Sequence, residues 1–236
     1  MNDQACSRKC LLFTAGAGLV GALLMFTGDM LLYGHFGSGA EFIGRYKTVI
    51  TEASSLRLYV AGALGPLAAI FYLIGVAHLY LRLQPSRYLL RIFTSLAFAA
   101  MFVIAGAVHA VWAAYALVLR GVAHGQANAD LEAVMGAYLD LVYKLAEIVG
   151  YPSALLLFAL VLMRRTTYPR WSAVLNPGLI MLASSVAVFL PAPIGAPVVG
   201  GLFNLAFVVF FAFSLATTPP APTAKADARP NGKDEG

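Results

Sequence analysis

Charge is scarce in this sequence. Of its 236 residues only 11% are Asp, Glu, Lys or Arg, against 60% hydrophobic. Soluble domains carry about 25% charged residues, because their surface faces water. A chain of this size cannot cover so much apolar side chain with so few charges, so a soluble globule is excluded, and a disordered or collagen-like chain with it. Cysteine is scarcer still: Cys6 and Cys10 are the only two, too few for a disulfide scaffold. They form a lone C-x-x-x-C beside Arg8 and Lys9, without the further ligands that a zinc site needs. A G-x-S-x-G elbow, an H-E-x-x-H helix and a Gly-rich phosphate loop are all missing, which removes the common hydrolase, zincin and nucleotide-binding signatures. No inverted repeat of broken helices stands out, and no histidine pair suggests a bis-His haem.

What is abundant is the long apolar run. Six occur: Leu11 to Leu32, Leu58 to Leu81, Ile92 to Leu119, a segment ending at Met163, Val174 to Leu190, and Val198 to Ala216. Each meets or approaches the roughly 20 residues that carry a helix across the hydrocarbon core. The expected fold is an all-α, polytopic bundle of six transmembrane spans. Arg8 and Lys9 before the first run resemble the start of a signal peptide, but no A-x-A-like cleavage site follows, so that run is expected to be a true span. Residues 1–10 then form a cytosolic amino terminus and 11–216 the membrane domain. Residues 217–236, rich in Pro, Ala and Lys, form a disordered cytosolic tail.

The net charge of +5 is an orientation signal, with no nucleic-acid partner implied. Eleven Lys and Arg residues, Arg82, Arg87, Arg164 and Arg165 among them, fall in the tails and in one set of alternate loops, against four acids. The opposite side holds five basic residues against seven acids. By the positive-inside rule both termini are expected in the cytosol. The outer loops span 35–56 and 120–130. Phe42, Tyr46, Val49, Ile50 and Ala53 recur at helical spacing among charges, which predicts a short helix lying in the interface. Asp130 and Glu132 favour a helix start. A helix from Asp130 to Met163 runs about 50 Å, so it should protrude outward and kink near Gly150 and Pro152.

Ionisable groups inside a membrane are costly, so each is a functional candidate. Asp29 lies toward the outer end of the first run and His109 in the outer half of the third. Asp140, Lys144, Glu147 and Tyr151 share one face of the fourth. Asp29, His109, Lys144 and Glu147 are the candidate catalytic set, expected to converge on an outward-facing vestibule. A carboxylate beside a histidine moves protons. His with two carboxylates also suits a metal, and neither metal nor other cofactor is singled out. Alternatively Asp140 and Lys144 form only an i,i+4 ion pair, and Asp29 and His109 serve structural hydrogen bonds. His78 is expected at the cytosolic interface. Asn176 and Asn204 are the polar residues of the last two runs.

Three functions stay open: a membrane-embedded enzyme acting on a lipid or isoprenoid, a proton-coupled transporter or small-molecule-binding protein, and a structural subunit. Partners are the bilayer and a lipid or small apolar ligand. Oligomers are conceivable through the small residues Ala17, Gly21, Gly106, Ala110 and Ala114, which let backbones approach closely. The stretches Gly28-Asp29-Met30-Leu31-Leu32-Tyr33-Gly34, Leu64-Gly65-Pro66 and Ala107-Val108-His109-Ala110 resemble an uncharacterised family of bacterial six-helix integral membrane proteins. The resemblance covers most of the chain except the tail and implies a membrane location but no reaction.

Overall fold

Backbone N–H and C=O groups that leave water must pair within their own segment, so apolar runs of this length become helices. The computed structural model describes residues 8–218, and these are all-helical apart from turns. Cys6 and the tail beyond Thr218 lie outside the described residues. Five helices are long and apolar enough to cross a membrane: α1 (Arg8–Tyr33), α3 (Ser55–Arg82), α4 (Tyr88–Ala123), α5 (Ala129–Leu162) and α8 (Gly195–Ala216). Large apolar side chains such as Phe13, Ile70, Leu96 and Ile148 point outward along them, as lipid-facing positions do.

The short amphipathic helix exists as α2 (Gly39–Glu52), started by a capping box in which Ser38 and Glu41 satisfy each other's backbone N–H groups. Asn128 caps α5 by accepting from the Asp130 N–H, with Asp130 and Glu132 in the first turn. The helix then continues through Pro152 without interruption.

The fifth run departs from expectation. Val174 to Leu190 is not one helix but a 3₁₀ turn (Arg170–Leu175), α6 (Pro177–Leu182) and α7 (Ser184–Ala187). Pro177 has no N–H to donate and its ring collides with the preceding turn, so a helix can only restart there. Asn176 makes that restart by accepting from the Gly178 N–H at 2.9 Å. Its amide nitrogen also ties the break to the Ala154 carbonyl of α5 at 3.0 Å.

Hydrogen bonds define the two ends of the bundle. At the near end, where α1 starts, His78 Nδ1 lies 3.1 Å from the Leu11 carbonyl and Arg82 donates to Thr217. The Thr167 N–H donates to the Arg82 carbonyl. At the far end the Gly39 N–H donates to the Leu190 carbonyl and the Ala196 N–H to that of Gly37. The broken segment therefore runs from one end to the other, and α1 starts at the end where α8 finishes. His78 and Arg82 are buried within the protein at the near end. Arg82 stacks on Tyr168 at 4.3 Å, and burial raises the pKa of that phenol, which keeps it neutral.

The elements pack as a ring in the order α1, α3, α4, α5, broken segment, α8, with α8 closing against α1. Small residues make the close approaches. Gly21 faces the Ala68 carbonyl and Tyr72 of α3, Gly18 lies under the Phe211 ring, and Gly106 faces Ala69 and Gly65. Gly21 and Gly106 are thus spent on contacts within the chain and Ala17 is buried, while Ala110 is half-buried and Ala114 exposed. The near half is filled by Tyr72, Phe98, Phe102, Phe207 and Phe211, with Tyr72 stacked on Phe102 at 4.0 Å. The far half is filled by Leu32, Ile50, Leu58, Val108 and Tyr115.

Candidate functional site

Between these two apolar layers lies a polar cluster centred on Asp29. One turn before the end of α1, the residue is buried with 5% exposure. Such a carboxylate must find donors inside the protein. Tyr33, four residues on along the same face, donates its hydroxyl to Oδ1 at 2.7 Å. Asn204 of α8 donates its amide to Oδ2 at 2.7 Å. The Asn204 carbonyl accepts the Tyr72 hydroxyl at 3.3 Å, which fixes the amide's orientation. His109 of α4 brings Nδ1 to 3.5 Å from Oδ1.

His109 fits only because glycines face it. A Cβ on Gly28 would collide with Nε2, and one on Gly65 would meet the His109 Cβ. Nε2 makes no hydrogen bond among the described residues. The three short sequence motifs, Gly28-Asp29, Leu64-Gly65-Pro66 and Val108-His109-Ala110, therefore meet at one imidazole.

Asp29 and His109 form part of the wall of a cleft with about 100 Å³ of free space. Tyr33, Trp112 and Phe203 line it from the bundle side, Tyr143, Glu147 and Tyr151 from α5, and Met181 from the broken segment. The α5 wall is exposed: Tyr143 and Tyr151 keep 45% and 40% of their surface, and Glu147 is exposed as well. This follows from the packing, because α5 leans on α4 and on the broken segment and has no extensive contact with α1 or α8.

Of the four candidates, Asp29 and His109 come together and Glu147 lines the same cleft. Lys144 does not. It turns away to Asp140, 2.6 Å distant, in a pair whose side chains are 62% and 65% exposed. A helical side chain leans toward the amino-terminal turn, so Lys144 reaches Asp140 rather than the cleft. Among the described residues no three His, Cys, Asp or Glu side chains gather closely enough to hold a metal ion. Tyr33 and Asn204 belong to the site although spacing alone did not single them out for it. Their signals are a tyrosine at i+4 from a membrane-buried acid and a lone amide in an otherwise apolar helix.

Chemically the cluster offers a carboxylate held on both oxygens, an imidazole whose Nδ1 stands 3.5 Å from it, and aromatic walls. No curated protein and no solved structure matches the chain. A family model does match, over residues 1–219, and the chain belongs to that family, DUF6796, a family of unknown function.

Proposed function

We propose that this chain is a six-crossing membrane protein of a bacterial inner membrane, with both termini in the cytosol, and an enzyme acting on a lipid or isoprenoid. Residues 1–10 and 217–236 are the cytosolic ends of an 11–216 membrane domain. The broken segment is the fifth crossing, and the cleft faces outward. Lys and Arg placement supports the orientation.

The observation that carries the enzymatic reading is the Asp29–His109 pair, 3.5 Å apart, in the wall of a cleft lined mainly by aromatic and apolar side chains. Asp29 takes a proton from the bound lipid's polar group, or returns one to it, and His109 shares that proton through Nδ1. Tyr33 and Asn204 hold the carboxylate in place throughout, as general acid–base chemistry requires of its proton carrier. Glu147, at the exposed wall, is the second carboxylate within reach. The substrate's apolar part leaves between α5 and α8 toward the bilayer.

The test incubates purified protein with a total bacterial lipid extract and follows products by mass spectrometry. The wild-type chain is expected to convert one lipid class, and Asp29→Asn to lose turnover by a factor of at least about 100, in the range general acid–base groups contribute. Full activity in both Asp29→Asn and Glu147→Gln sinks the proposal.

One observation favours transport as a second reading. The fifth segment is interrupted at Asn176-Pro177 and again at Ala183, and it contributes Met181 to the cleft. Discontinuous helices beside a site are the mark of alternating access. A cysteine placed at Gly150, deep in the cleft, should then label from the cytosolic side in some state. Protection from that side under every condition excludes transport.

A further inference from the structure

We propose that the polar group the cleft receives is a positively charged ammonium, so that its ligand is an amphipathic amine. This rests on the lipid-binding reading above and names the ligand's head group. Two carboxylates line the cleft, Asp29 and Glu147, and no Lys or Arg does. The nearby cations are committed elsewhere. Arg57 donates to the Leu31, Met30 and Gly34 carbonyls at the end of α1. Lys144 is turned to Asp140. His109, the one basic side chain in the wall, faces Asp29.

The remaining surface is built for a cation as well. Tyr33, Trp112, Tyr143, Tyr151 and Phe203 present rings around the space, and aromatic faces attract ammonium groups, most strongly when water is excluded. Trp112 is held by ring contacts to Tyr33, Tyr46 and Tyr115 at 5.6, 6.2 and 5.5 Å, so this wall is already ordered before a ligand arrives. A free space of about 100 Å³ suits a head group and not a whole lipid, since benzene occupies an engineered cavity of about 150 Å³. The hydrocarbon chain passes out along the exposed α5 wall. An anionic head group would meet Asp29 and Glu147 in a wall that holds no Lys or Arg.

Trp112 is also the reporter. The chain has two tryptophans, and Trp171 is exposed, so Trp171→Phe leaves Trp112 as the sole emitter. The protein, in neutral maltoside micelles, is titrated with decyltrimethylammonium, decanol, decyl sulfate and tetramethylammonium while Trp112 emission is followed. Decyltrimethylammonium is expected to bind at least about tenfold more tightly than decanol or decyl sulfate. Asp29→Asn and Glu147→Gln are each expected to weaken it about tenfold. Glu147 is exposed, so its variant keeps the fold, which the unchanged thermal midpoint verifies. Decanol or decyl sulfate binding as tightly, in a manner lost on Asp29→Asn, overturns the ammonium inference and leaves lipid binding standing. Tetramethylammonium binding as tightly as its decyl analogue keeps the ammonium and overturns the lipid. Failure of every amphiphile to bind overturns both.

Discussion

At the scale of single residues, the site is a problem in hydrogen-bond satisfaction solved from three helices. Asp29 receives Tyr33 from its own helix and Asn204 from α8, and Tyr72 of α3 completes the chain by donating to Asn204. Asn204→Leu keeps the volume but strips a donor from Asp29 and an acceptor from Tyr72. The variant is expected to lose roughly 1–3 kcal/mol, the cost of leaving buried polar groups unpaired, measured as a drop in midpoint of chemical unfolding. Gly28→Ala is the sharper substitution. Alanine is the better helix former by about 1 kcal/mol, yet its Cβ would occupy the place of His109 Nε2. Packing should win over propensity: an overall destabilisation of about 1–3 kcal/mol is expected, with loss of the Asp29–His109 approach. A rise in thermal midpoint for Gly28→Ala would show that the imidazole has another place to go.

At the scale of elements, the ends and breaks of helices carry the organisation. The last carbonyls of α1 have no partner within the helix, and the Arg57 guanidinium donates to two near its end, Met30 and Leu31, and to that of Gly34 just beyond, at 2.6 to 3.3 Å. It thereby fixes the end of α1 just past Asp29. Arg57→Met removes these bonds while retaining most of the side chain's bulk, and about 1–3 kcal/mol of destabilisation is expected by thermal unfolding. Lys144→Ala is the contrast. Its pair with Asp140 is exposed on both sides, and exposed pairs contribute little, so neither stability nor cleft binding should change measurably. Loss of binding in Lys144→Ala would return that lysine to the site. The same comparison shows where spacing misleads: Lys144 and Glu147 share a broad face of α5, but only the second reaches the cleft.

At the scale of the molecule, the broken fifth segment decides the topology. It joins the near-end turn at Thr167 to the far-end contact at Leu190, so α1 starts and α8 finishes at one end of the bundle. Fluorescent-protein fusions at the two termini are expected to light up alike in the bacterial cytosol, with a phosphatase inserted after Gln126 active outside. Opposite behaviour of the two termini would mean that the broken segment folds back in the membrane. The short pieces also explain why the ring has a gap. A full-length fifth helix would pack along α5 and α8, whereas short pieces leave the α5 wall with Tyr143, Glu147 and Tyr151 open.

The amino-acid sequence by itself determined the membrane class, five helices long and apolar enough to span, the amphipathic α2 and two of the residues that meet, Asp29 and His109. The physical reason is that hydropathy, caps and the cost of buried charge are local properties, written in runs of some 20 residues. Three things were decided only in the tertiary structure. The fifth run broke because Pro177 and the Asn176 bond to α5 outweigh its mean hydropathy. Tyr33 and Asn204 became Asp29's partners because polar satisfaction is settled between helices far apart in sequence. Lys144 left the site because a long side chain chooses among neighbours that spacing does not rank. The small residues of α1 and α4 likewise announced close packing, but only the fold showed that Gly21 and Gly106 spend it within one chain, and that Gly28 and Gly65 spend it on making room for His109.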